Sequence, residues 1–144
     1  MKNISRSVLV NYSVEQMYGL INDVEAYPTF MEACVDAKVL DSGDDFIEAQ
    51  LILGQSGIQQ SFVTRNELHP PKLMIMHLVE GPFKHFEGRW QFEPLGESGC
   101  KVSVCFSFMF KNPLLTLTVG KWFEKAIFQQ VDALCQRADI LFGS

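Results

Sequence analysis

The sequence predicts an α+β domain: a curved antiparallel sheet of about seven strands around one long C-terminal helix, with one or two short helices after strand 1. Three observations carry this. Much of residues 34–110 alternates apolar and polar side chains, the period of half-buried strands. The breaks between these runs are short and contain Gly, Pro or Asp, so neighbouring strands join by tight turns and run antiparallel. Residues 113–142 then carry apolar residues at helical spacing, over far more length than a connector needs.

ISRSVLV (4–10) alternates and forms the first strand. Ser13-Val14-Glu15-Gln16 is a capping-box pattern that opens a helix running to about Asn22, with Val14, Met17, Leu20 and Ile21 on one face. Tyr27-Pro28 ends that region, because a residue before proline is pushed out of helical geometry, and a second short helix or turn covers 24–33. CVDAKVLDSG (34–43) and FIEAQLIL (46–53) flank an Asp44-Asp45 turn. GIQQSFVTRNEL (57–68) places Phe62, Thr64, Asn66 and Leu68 on one face and stops at His69-Pro70-Pro71. KLMIMHLV (72–79) ends at Gly81-Pro82; HFEGRWQFEPL (85–95) and GCKVSVCFSFMF (99–110) follow. In the last run Val102, Val104, Phe106, Phe108 and Phe110 share a face. Asn112-Pro113 supplies an N-cap and a proline at the first helical position. Leu117, Phe123, Ile127, Val131, Leu134, Ala138 and Leu141 form the stripe of the final helix. The concave face of the sheet is the natural place to bury that stripe, a helix-grip arrangement that often leaves a cavity.

A chain of 144 residues reads as a single domain, 1–144, and buries roughly 70% of its unfolded surface without a staple. Twelve phenylalanines supply either a large core or an apolar cavity. No apolar run approaches the roughly 20 residues of a transmembrane helix, and the first residues lack a signal-peptide pattern, so a cytoplasmic location is expected. Cys34, Cys100, Cys105 and Cys135 are scattered, and reduced, mostly buried thiols are expected. Residues 1–50 hold nine acids against three bases, −6; residues 51–144 hold eight against nine, +1, which together make the net −5. That balance disfavours a general nucleic-acid binder and leaves Lys84, Arg89, Lys101, Lys111, Lys121 and Lys125 as candidates for a local basic surface, with an ordinary solvated face as the competing reading.

Phosphate-loop, dinucleotide, nucleophile-elbow and zincin motifs are missing from the sequence. His69, His77 and His85 lie near turns and strand ends, and no metal site is expected of them. His85, Glu87 and Arg89 stand at period two with Gln91 and Glu93, which sends all five to the solvent side of a strand. The opposite face reads Phe86, Gly88, Trp90 and Phe92, with no ionisable group, so no catalytic set is expected there. Gly88 leaves a gap, permits a bend, or both. Thr64 and Asn66 face inward, either to orient a ligand's polar head or to hydrogen-bond within the core. The candidate cavity wall comprises Tyr27, Phe30, Phe62, Thr64, Asn66, Met74, Met76, Phe83, Phe86, Gly88, Trp90, Phe106, Phe108, Phe123, Ile127 and Val131; packed core is the competing reading.

VEAYPTFMEAC (24–34), LVEGPFKHFEGRWQF (78–92) and the ending around Cys135-Gln136-Arg137-Ala138 occur in this order. Together they resemble the coenzyme-Q-binding START-domain family, also described as polyketide cyclase/dehydrase-like, with its bacterial branch of ribosome-association toxins of the RatA type. The resemblance implies a START-like helix-grip fold and a non-enzymatic role with no required cofactor. It implies a hydrophobic ligand, ubiquinone or a related isoprenoid lipid, in support of respiration, and peripheral contact with a membrane to exchange it. For the bacterial branch it implies binding to the large ribosomal subunit and a block on subunit joining. Carried over by position, Tyr27, Pro28, Phe30 and Cys34 form the mouth, and Gly81, Pro82, Phe83, Gly88 and Trp90 the bend and wall. Ala33 and the acid-free FSFMF (106–110) depart from the family's usual pattern. The leading expectation is lipid binding, the second ribosome binding, and the third a cyclase or hydratase using His85, Glu87 or Tyr27.

Overall fold

The computed structural model describes residues 1–55 and 57–143. The chain runs β1 (Lys2–Val10), α1 (Val14–Asn22), a 3-10 segment (Val24–Thr29), β2 (Cys34–Ser42), β3 (Phe46–Gln55), β4 (Ile58–His69), β5 (Leu73–Glu80), β6 (Phe83–Leu95), β7 (Gly99–Phe110) and α2 (Pro113–Phe142). The seven strands form one antiparallel sheet in the order β1-β7-β6-β5-β4-β3-β2. Strands β2 to β7 are a meander, and β1 closes onto β7, so β1 and β2 are the two edges. α1 and the 3-10 segment carry the chain from one edge to the other.

Local chemistry fixes each helix start. Gln16 N–H donates to Ser13 Oγ at 3.1 Å while Ser13 N–H donates to Gln16 Oε1 at 2.9 Å, completing the capping box. Asn112 Oδ1 accepts from Leu114 N–H at 2.9 Å, and Pro113 costs nothing where no intrahelical donor is needed. The second short helix expected over 24–33 is the 3-10 segment, and Pro28 lies inside it; α1 has already ended at Asn22. The segment is two successive turns, closed by Ala26 N–H to Asp23 O and by Phe30 N–H to Tyr27 O. Pro28 occupies the second position of the latter turn, which suits its fixed φ and needs no donor.

Period two holds along β6 and β7, with one informative break. β6 begins at Phe83 rather than 85, and a register shift between Phe83 and His85 puts Lys84 in a bulge. The bulge resets the alternation, so Phe83 and Phe86, three apart, both face the core. The α2 stripe runs from Val119 to Ala138, shorter than the sequence predicts. Leu117 and Leu141 are exposed because the first and last turns project beyond the concave face that covers Phe123, Ile127, Val131 and Leu134. Arg6 of β1 fastens the helix from the edge: its guanidinium donates to Phe128 O at 2.8 Å and to Asp132 Oδ1 at 2.7 Å.

Candidate functional site

Where the chain enters β2, a cleft of about 280 Å³ opens between residues 30–34 and the flank of α2. Met31, Cys34, Leu53 and Ile127 give it an apolar floor. Gln129, Gln130 and Gln136, with Glu32 and Asp132, give it a polar rim. A smaller recess of about 160 Å³ shares Glu32, Ala33, Ala126 and Gln129 and extends the cleft to Trp122 and Lys125.

The near wall is held by its own backbone. Met31 N–H donates to Tyr27 O at 2.8 Å, Cys34 N–H to Met31 O at 2.9 Å, and Gly54 N–H to Ala33 O at 2.9 Å. Tyr27 lies beneath this wall and donates its hydroxyl to Ile21 O. Phe30 packs edge-on against Tyr27 with ring centroids 6.0 Å apart, and Arg137 of α2 sits over Phe30 at 5.7 Å. The far wall has room because Ala126 and Ala133 present small side chains, one helical flank apart from the buried stripe.

Burial and pairing shift Tyr27, Cys34 and Asp132 from their ordinary values. Burial raises the Tyr27 phenol far above its ordinary value, with the nearby Cys34 and Asp23 charges adding to the shift. Burial also pushes the Cys34 thiol up to about 11, so it stays protonated at neutral pH and is a poor nucleophile. Asp132 is held below the usual carboxylate range by its hydrogen bond from Arg6. An apolar floor with a rim of amides and carboxylates suits a molecule with an apolar body and a polar head that donates hydrogen bonds.

Phe30 and Ile127 line the cleft as expected of cavity residues, and Tyr27 supports it from below. The rest of the expected wall is buried elsewhere in the core. Phe62, Phe83, Phe86, Phe106, Phe108 and Phe123 are in mutual ring contact, with centroids 4.9–6.2 Å apart. Met74, Met76, Trp90 and Val131 are buried around them. The space expected beside Gly88 is filled: a Cβ there would stand 2.5 Å from Phe106 Cε1. Thr64 and Asn66 take the core alternative, Thr64 Oγ1 donating to Asn66 Oδ1 at 3.0 Å.

His85, Glu87 and Arg89 project from the outer face, with Arg89 4.0 Å from Glu87. His77 on β5 and His69 both reach Glu67. The basic residues do not form one patch. Lys84 and Lys111 share the corner where Lys111 N–H donates to Pro82 O at 2.8 Å; Lys121 and Lys125 are on the solvent side of α2; Arg89 is on the outer sheet face. Cys34 and Cys100 are buried, Cys135 is half-buried and Cys105 is exposed, all as free thiols. The Gln129–Gln136 rim went unread in the sequence; its signal was Ala126 and Ala133, two small residues seven apart beside the apolar stripe.

Comparison with known proteins follows the same outline. Residues 10–135 match the family described as polyketide cyclase / dehydrase and lipid transport. The ribosome association toxin RatA of Vibrio cholerae is 39% identical over 99% of both chains. The mitochondrial coenzyme Q-binding protein COQ10 homolog B of Xenopus laevis is 30% identical over 96% of this chain and 59% of its own. Among solved structures, the Zhui aromatase/cyclase from a Streptomyces species superposes with a TM-score of 0.83 at 15% identity, covering 96% of this chain and 93% of that one. At that identity the likeness speaks for the fold, which is START-like. The chain therefore belongs to the polyketide cyclase/dehydrase and lipid transport family.

Proposed function

We propose that this protein is a ribosome-binding regulator of the RatA type, which associates with the large ribosomal subunit in the cytoplasm and opposes subunit joining. The observation that carries this is the 39% identity to a ribosome association toxin along essentially the whole of both chains. The similarity to a coenzyme Q-binding protein is lower and spans little more than half of that protein. This reading reverses the order of expectation drawn from the sequence and its family resemblance. The action proposed is non-catalytic; burial raises the Tyr27 phenol and the Cys34 thiol above their ordinary values, the opposite of the shift that would activate either as a nucleophile.

The test is sedimentation. The purified protein is expected to pellet with isolated large subunits, to do so less as salt rises, and to reduce joined ribosomes on a sucrose gradient. Combined Lys84→Glu, Lys121→Glu and Lys125→Glu is expected to weaken pelleting. A protein that stays in the supernatant at low salt overturns the reading; unchanged pelleting of the triple variant overturns the choice of surface.

A second reading, binding of an isoprenoid quinone or similar lipid, is supported by the cleft with its apolar floor and polar rim. Solvent extraction of natively purified protein, followed by mass spectrometry, is expected to release such a lipid. An empty extract, with no binding of quinone analogues, counts against it.

A further inference from the structure

Leu117 is 85% exposed and Leu114 62%, and the two stand one turn apart near the start of α2. Spaced three residues apart, they lie side by side on the helix surface. A single exposed leucine needs no explanation, whereas a paired one on a basic rim does. Lys111 precedes the pair and Lys121 follows Leu117 by four residues, both in solvent. No acidic residue occurs between positions 98 and 123. Glu124, the next acid along α2, is already engaged by Lys2 at 3.0 Å, and Glu80, across the Gly81-Pro82 turn, partly offsets Lys111.

The apolar character continues beside the helix. A notch of about 380 Å³ lies between the end of β7 and α2, lined by Phe108, Met109, Phe110 and Gly120, with Lys121 at its edge. Met1 and Met109, both exposed, border it. The opposite pole also exposes large apolar side chains, Leu9 and Ile140, but there Glu93, Glu97 and Asp139 supply negative charge. Lys101 stands beside Leu9 there but faces Glu93 on β6, whereas the pole at the start of α2 joins its leucines to Lys111 and Lys121.

We propose that this pole docks on an anionic phospholipid bilayer, with Leu114 and Leu117 entering the interface and Lys111 and Lys121 at the lipid phosphates. Apolar insertion combined with basic flanks is the chemistry of interfacial helices. Nucleic acid explains the lysines but leaves the leucines without a partner, since phosphate contacts are electrostatic. The proposal does not require the ribosome reading, although Lys121 belongs to both surfaces.

Flotation of the full-length protein with vesicles tests it. One set is made of phosphatidylethanolamine and phosphatidylglycerol in equal parts, the other of phosphatidylcholine alone. The protein is expected to float with the anionic set and to stay behind with the neutral one. Leu114→Ser and Leu117→Ser are each expected to weaken binding about tenfold. Lys111→Glu and Lys121→Glu are each expected to weaken it about fivefold or more, and added salt to mimic them. Because these side chains are in solvent, the variants should melt like the parent, which circular dichroism checks. Failure of the parent to float with anionic vesicles overturns the proposal. So does flotation of the leucine variants at the parent's affinity. Leucine variants that lose large-subunit pelleting, from a parent that binds no vesicle, would assign the face to the ribosome instead.

Discussion

Gly88 and Phe106 face each other across the β6–β7 pair, and the phenyl ring lies where a side chain on residue 88 would begin. A methyl 2.5 Å from an aromatic carbon cannot stay, and the ring is itself wedged against Phe86. Gly88→Ala is therefore expected to cost about 1–3 kcal/mol, the usual range for overpacking a core. Phe106→Leu added to Gly88→Ala should recover part of that loss, which urea unfolding of both variants measures. Cys34 gives a second residue-scale prediction. Its raised pKa means that the folded state holds the thiol proton longer than the unfolded chain, whose thiol has the ordinary value of 9.0. The associated stability is present below pH 9 and lost as pH rises through about 11. The loss is at most about 3 kcal/mol, and it should be absent in Cys34→Ala. A parent and variant with parallel stability curves across that window would contradict the burial argument.

At the scale of elements, α2 separates two kinds of leucine that sequence alone does not distinguish. Leu117 and Leu134 both fit a helical stripe, but Leu134 is fully buried while Leu117 stands in water. Leu134→Ala should cost about 2–5 kcal/mol, and Leu117→Ala less than about 0.5 kcal/mol. Thermal or chemical denaturation of the pair decides it. The contrast also explains what was legible. Strand number, order of elements, both N-caps and the outward facing of His85, Glu87 and Arg89 follow from local pattern, because periods of two and 3.6 are set by the backbone. Where the stripe ends is set by how far the sheet reaches, and that is a property of two elements together. The bulge at Lys84 and the placing of Pro28 inside a turn are likewise decided by the register of neighbours and by turn position, which a pattern of apolar residues does not encode.

At the scale of the molecule, the cleft is a product of distant parts: a loop at residues 30–34 meets a helix flank about 100 residues later. Most of the aromatic residues expected to line a cavity instead pack against one another in the interior, and the cleft has room where Ala126 and Ala133 face the loop. That geometry allows the two functional readings to be pulled apart. Ala133 is partly exposed on the cleft wall, so Ala133→Trp can fill the space without entering the core. Leu134 and Val131, the buried residues on either side, should keep their packing. If the cleft holds a lipid, this variant should lose the extracted lipid while melting within a few degrees of the parent, since surface substitutions rarely shift stability by more than about 0.5 kcal/mol. Ribosome pelleting should persist if it depends on Lys84 and Lys121, which do not line the cleft or its extension. Loss of both together, in a folded variant, would mean that cleft occupancy controls the ribosome-binding surface, and would join the two readings into one mechanism.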